Sequence, residues 1–273
     1  LYLASSGSLA LGGLLHLTGL VMRVTIMARP PVATLYESII FVSLIVIFFS
    51  LFLEKSKKNG VGVLMGSLAG SVLLFIANRY QADGDTMGML VAVLNTNFWL
   101  ATHVVCITIG YGCCFVGGLL GHIYLLQQIA KPGQKTKTDE IYNNMVGVAL
   151  VALFFSLFGT ILGGIWADQS WGRFWGWDPK ENGALLICLW LLLMLHARLD
   201  KMVGPIGFAT GMVLTNIIVA LAWFGVNLLN VGLHSYGFTS NIATNLAMFC
   251  GVELLFAAVA YVLAKKIWRP FKA

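Results

Sequence analysis

The sequence predicts an all-α bundle that crosses a membrane about eight times, and three observations predict it. Of 273 residues, 59% are hydrophobic and 10% charged, and the mean hydropathy of +0.86 is too apolar for a domain that folds in water. Apolar runs long enough to cross a bilayer recur along the whole chain. Between them the basic residues gather in short clusters rather than spreading over one face. No internal repeat, low-complexity tract or separate soluble domain interrupts this pattern, so residues 1–273 read as one integral membrane domain. The chain opens on Leu1 without the basic start of a cleavable signal peptide, and an N-terminal extension is expected before it.

The first span, 7–28, leads through the loop 29–35 to the second, 36–53, which ends at Lys55, Lys57 and Lys58. The third, 61–78, returns to the loop 79–98. The fourth, 99–129, ends at Lys131, Lys135 and Lys137. At 1.5 Å per residue it is roughly 45 Å long, so it should tilt or project beyond the hydrocarbon layer. The fifth, 141–165, runs into a tryptophan-rich segment. The sixth, 183–200, ends at Arg198 and Lys201. The seventh, 205–229, reaches the loop 230–240, and the eighth, 241–267, closes on Lys265, Lys266, Arg269 and Lys272. With eight spans every basic cluster falls on one side, which the positive-inside bias makes cytoplasmic together with both termini. The net charge of +6 is therefore a topology signal rather than affinity for nucleic acid. Cys106, Cys113, Cys114, Cys188 and Cys250 lie inside expected helices without a Cys-x-x-Cys pair, and read as small buried apolar residues.

The most informative stretch is 166–183. Trp166, Trp171, Trp175 and Trp177 place four indoles in twelve positions at a membrane boundary. An interfacial aromatic belt accounts for one or two of them. Indoles bracketing Gly172 and Gly176 instead suit a planar apolar ligand approached closely by backbone. Asp178-Pro179-Lys180-Glu181 has the form of a capping box that opens the sixth span, with Asp178 at the N-cap and Pro179 at the first helical position. Arg173 and Lys180 are candidates to bind anionic groups at the rim; snorkelling at the interface is the alternative.

Five histidines are present, and polar residues inside a membrane call for a function. An iron porphyrin held by two imidazoles needs one on each face of the macrocycle. His103, at the head of the fourth span, and His234, in the last outer loop, are candidates for that pair; the alternative is two interfacial rings hydrogen-bonded to backbone. Seventeen residues separate Pro179 from His196, roughly 25 Å of helix, which puts His196 in the inner leaflet. His196 is a candidate for a second porphyrin site, with His122 or a histidine of another polypeptide opposite it. His16 and His122 otherwise suit packing or local hydrogen bonding. Glu253, near the middle of the last span, should be neutral or paired.

These residues together resemble a known family. Trp171-Gly-Arg-Phe-Trp-Gly-Trp-Asp-Pro-Lys-Glu-Asn-Gly-Ala-Leu-Leu resembles the WWD signature of haem-handling proteins. Leu189-Trp-Leu-Leu-Leu-Met-Leu-His196-Ala-Arg198, Trp223-Phe-Gly-Val-Asn-Leu-Leu-Asn-Val-Gly-Leu-His234, Asn97-Phe-Trp-Leu-Ala-Thr-His103 and Pro31-Val-Ala-Thr-Leu-Tyr-Glu37-Ser narrow it further. Over roughly residues 10–265 the chain is similar to the CcsA (ResC) family, the haem-binding subunits of system II cytochrome c synthases. It looks closer to these than to the system I proteins CcmC and CcmF.

The resemblance implies that His103 and His234 are the outer axial ligands of haem iron, and that His196 is one of two ligands for haem within the membrane. It implies that Trp166, Trp171, Trp175, Trp177, Arg173 and Lys180 cradle haem b. It assigns the catalytic site to His103, His234, Trp171, Trp175, Trp177 and Asp178. The implied activity is that of a holocytochrome c synthase (haem lyase), formed with CcsB as a separate subunit or fused half. Haem is moved to the outer face and joined by thioether bonds to the Cys-x-x-Cys-His segment of apocytochrome c. The implied location is a bacterial cytoplasmic or thylakoid membrane, with the WWD segment on the periplasmic or lumenal face. A haem exporter of the CcmC type without ligation activity, or an electron-transferring b-type cytochrome, are the alternatives.

Overall fold

The computed structural model describes residues 2–80, 86–90, 92–229, 231–232, 234 and 242–267. The described part is all helical, and eight helices are long and apolar enough to cross a membrane. We number them α1 (Tyr2–Met27), α2 (Leu35–Lys57), α3 (Val61–Ala77), α4 (Asn97–Ala130), α5 (Lys135–Trp171), α6 (Pro179–Leu199), α7 (Pro205–Trp223) and α8 (Ile242–Ile267). The chain is an integral membrane protein. Large side chains such as Leu3, Leu14, Phe75, Val252 and Leu255 stand exposed along α1, α3 and α8; on a helix that keeps its backbone polar groups satisfied, such a surface belongs in lipid.

The number and order of spans follow the hydropathy, but α5 departs from its expected limits of 141–165. It runs for 37 residues and carries Trp166 and Trp171 in its final turns. The polar residues Asp168, Gln169 and Ser170 end the apolar run, not the helix. They stand exposed on a helical backbone that stops only at Gly172, where a positive φ of 69° suits a residue without Cβ. The amide of Gly172 then closes onto the carbonyl of Asp168 at 2.9 Å.

The chain divides into two compact units, Leu1–Cys113 with Phe155–Gly176, and Cys114–Phe154 with Trp177–Ala273. The first is held by polar contacts at both ends of α2. At its start, Thr34 caps the helix and Glu37 completes a capping box. Glu37 is fully buried; its Oε1 accepts from Nε and Nη2 of Arg23 at 3.1 and 2.9 Å, and its Oε2 from Nη1 of Arg29 at 2.7 Å. At the other end, Glu54 accepts from the hydroxyl of Tyr2 at 2.7 Å and from the amides of Gly60 and Gly62 at 2.9 Å each, which satisfies open donors at the start of α3. Ile39, Val42, Val46 and Leu100 fill the core of this unit.

In the second unit, Leu120, Leu125, Ile141, Met145, Ile187, Leu191, Phe208 and Met212 are almost wholly buried. Polar side chains tie its helices together. Trp190 Nε1 donates to the carbonyl of Gly211 and to Thr215 Oγ1, both at 3.1 Å, and Arg198 Nε donates to the hydroxyl of Tyr142 at 3.0 Å.

Candidate functional site

In the first unit, the predicted site residue His103 lies in a π-turn, Leu100–Val104, near the start of α4. An extra residue per turn re-aims the side chains around it, and such turns favour functional positions. His103 Nδ1 lies 2.7 Å from the carbonyl oxygen of Gly159 on α5. A carbonyl only accepts, so Nδ1 carries the hydrogen and Nε2 of the neutral ring carries the lone pair. One turn beyond Gly159, a Cβ on Gly163 would sit 2.6 Å from His103 Cε1, so the ring rests where only glycine leaves room.

Aromatic rings complete this environment. Trp166 meets the edge of His103 at 5.7 Å between centroids and stacks with Trp99 at 6.2 Å and 12°. Trp99 Nε1 donates to Gln169 Oε1 at 3.2 Å. Arg173 lies over the Trp171 ring at 5.7 Å, and its guanidinium fills the place that a Cβ on Gly176 would take. Trp171 and Trp175 are half-buried. Trp99, Gly159, Gly163 and Gln169 were not singled out from sequence; the one signal was the four-residue spacing of the two glycines, which matches one helical turn.

The second unit resumes at Trp177. This indole is 69% exposed on a backbone with φ of 57°, a conformation that costs a bulky residue roughly 1–2 kcal/mol. The Asn182 side-chain amide, donating to the Trp177 carbonyl at 2.9 Å, helps to hold it. Backbone strain of this kind collects at functional sites.

Asp178 caps α6 as the sequence predicts. Its Oδ1 accepts from the amide of Lys180 at 2.8 Å, and Glu181 Oε2 accepts from its own amide at 3.1 Å. The same carboxylate reaches His234: Oδ1 lies 3.0 Å from Nδ1, and Oδ2 accepts from the His234 amide at 3.3 Å. Gly232, with φ of 88°, passes so close to Asp178 Oδ2 that any side chain there would overlap it. Burial alone would raise the Asp178 carboxyl, but the His234 ring beside it and the Lys180 and His234 amides outweigh that and hold it below the usual carboxylate range. A carboxylate on one nitrogen of an imidazole fixes the ring and makes the other nitrogen a better ligand.

The remaining candidates are disposed as follows. Lys180, expected at the rim for anionic groups, donates from Nζ to the carbonyl of Trp223 at 2.9 Å, inside the unit. His196 is exposed in the last turn of α6, with Nδ1 2.8 Å from the Leu192 carbonyl, a contact that in the neutral ring leaves the lone pair on Nε2. His122 differs, because Nδ1 faces the carbonyl of Gly118 at 2.9 Å while Nε2 faces Glu253 at 3.3 Å. No cluster of three or more His, Cys, Asp or Glu side chains suited to a bare metal ion occurs among the described residues. The His103 imidazole, anchored at Nδ1 and edged by Trp166, fits the iron and the apolar plane of a porphyrin instead.

Residues 32–234 match the family model described as Cytochrome C assembly protein. The chain is 33% identical over 224 residues to the cytochrome c biogenesis protein CcsA of Chlamydomonas reinhardtii, a match covering 76% of this chain and 61% of that protein. Its likeness to Protein NrfI of Wolinella succinogenes is 32% over 235 residues, covering 81% of this chain and 25% of that protein. With CcsA of Guillardia theta it shares 29% over 231 residues, 76% of each. The chain thus spans less than two thirds of the first two relatives.

Proposed function

The chain belongs to the cytochrome c assembly protein family, as a CcsA-like cytochrome c biogenesis protein, and from that premise we propose that it is the haem-handling subunit of a system II cytochrome c synthase. Haem is its substrate. His103 and His234 ligate the iron through Nε2, and the indoles of 166–177 pack the macrocycle. Asp178 holds the His234 ring, Gly159 holds the His103 ring, and Arg173 is placed for an anionic edge. His196 takes the iron at an earlier, membrane-embedded stage, opposite a histidine of CcsB.

The chemistry that haem supplies is its pair of vinyl groups. Each apocytochrome thiol adds across one of them, its sulfur bonding to one vinyl carbon and a proton to the other, with no change of net oxidation state. The apocytochrome histidine then replaces one ligand of this chain, which frees the product. The protein contributes orientation, axial ligation and exclusion of competing reactions.

The observation that supports this reading most is the contact of His234 with Asp178. It joins the N-cap of α6, the residue directly after Trp177, to a predicted iron ligand within one unit. The test is cytochrome c maturation in cells carrying CcsB, with His103→Ala and His234→Ala. Each variant should lose covalent cytochrome c and regain part of it with added imidazole; normal maturation without imidazole would remove both from the site. His196→Ala should lower the haem content of the purified complex. Reconstitution with CcsB, haem and apocytochrome separates synthase from exporter: haem transfer without thioether product favours the exporter.

A further inference from the structure

Three polar side chains from three helices, with one backbone carbonyl, meet in the interior of the second unit and have no part in the proposed haem chemistry. His122 is on α4, Asn216 on α7 and Glu253 on α8, and all three belong to spans that carry few other polar groups. Glu253 and Asn216 are 8% and 3% exposed. His122 Nε2 lies 3.3 Å from Glu253 Oε2, and Asn216 Nδ2 donates to Glu253 Oε1 at 3.4 Å. Phe256 stacks on the imidazole at 4.3 Å, one turn along α8 from Glu253.

The fourth residue is Gly118. Its carbonyl fixes His122 Nδ1, and its missing side chain is the space into which the Asn216 amide fits. The carbonyl requires a hydrogen on Nδ1, so Nε2 is the only ring nitrogen whose proton can come or go. Acceptors then outnumber donors: Asn216 Oδ1 is buried with no donor, and Glu253 Oε2 has no aligned one. Unmet acceptors in a buried apolar setting are costly. The deficit is in hydrogens, which a proton and the water that carries it would supply.

We propose that His122, Glu253 and Asn216 form a proton-binding site inside the membrane. The loaded site holds one proton between Nε2 and Oε2, as neutral imidazole facing a carboxylic acid, a pair that is neutral overall. Releasing that proton to water leaves neutral His122 and ionised Glu253, whose Oε1 keeps the Asn216 amide. Loading and unloading change the charge of the interior by one, which is how membrane proteins tie a conformation or a cargo to proton movement. Among the described residues, His122 and Cys250 are the titratable groups that interact with Glu253. The neighbouring stretch of α7 adds Asn216 and Thr215, neither of which is charged.

Infrared difference spectroscopy over a pH ramp tests this on the full chain in lipid nanodiscs, with carbon-13 in the glutamate carboxyls. One protonated-carboxyl stretch should be lost on raising pH, equivalent to one proton per chain, and should be missing in Glu253→Gln. In His122→Gln the pH of half-loss should shift by about one unit or more. Thermal unfolding of both variants establishes that they fold. The proposal is overturned if no glutamate carboxyl responds to pH in the folded protein, since the pair is then a fixed structural contact. It is equally overturned if the band responds to sodium at constant pH, since the ligand is then a metal cation.

Discussion

The Asp178 carboxylate serves the amides of Lys180 and His234 and the ring of His234 at once, so its substitutions separate capping from ligand orientation. Asn at 178 keeps one oxygen for the α6 cap but loses the charge and presents an amide to the ring. Asp178→Asn should therefore weaken haem binding about 10- to 100-fold with little loss of fold, as removal of outer-shell partners commonly does. Spectrophotometric haem titration of the purified chain measures it, and unchanged affinity would detach Asp178 from the site. The direction of its shift also sets a pH dependence. A carboxyl held below its unfolded value, about 3.9, contributes stability above that pH. That contribution is lost as pH falls through the lower folded value, when the cap and the His234 contact go together. Thermal unfolding between neutral and strongly acidic pH should show the loss in the wild type and a smaller one in Asp178→Asn.

At the scale of elements, His103 is placed by the fit of α4 against α5 in the first unit. Gly163→Ala puts a methyl carbon 2.6 Å from His103 Cε1 as the ring now stands, so the ring must move. The substitution should lower haem binding although Ala favours helix over Gly by about 1 kcal/mol. Gly147→Ala on the same helix, where a Cβ meets nothing within 4 Å, is the control and should leave haem titration unchanged. The contrast shows why the site was only partly legible in the sequence. Span number and the Asp178 cap could be read because hydropathy and capping are local. The last turns of α5 could not, since Asp168-Gln169-Ser170 lowers hydropathy without breaking a helix. The π-turn at Leu100–Val104 leaves no mark in residue type, and the setting of His103 against Gly159 and Gly163 exists only once two distant helices pair. His122 shows the same limit: local hydrogen bonding could be expected of it, but its pairing of Gly118 and Glu253 on its two nitrogens appears only once α4 meets α8.

For the whole molecule, eight spans and the charge pattern make one orientation self-consistent. Lys55, Lys58, Lys131, Arg198 and Lys201 all stand at or just beyond the C-terminal ends of α2, α4 and α6, alternate spans whose ends share one side. If those ends face the cytoplasm, then 29–35, 79–98, the segment 166–178 and 230–240 face the other side. His196, at the other end of α6 from Asp178, then lies near the cytoplasmic side. Fusions of a reporter active only outside the cytoplasm and one fluorescent only inside it test this in cells. Fusions after Lys131, Lys201 and Lys266 should fluoresce, and fusions within 29–35 or after Trp177 should show the external activity. The reverse pattern would put the tryptophan segment in the cytoplasm. Haem presented there would face a compartment that keeps a different set of proteins, and the chain would serve haem entry rather than attachment.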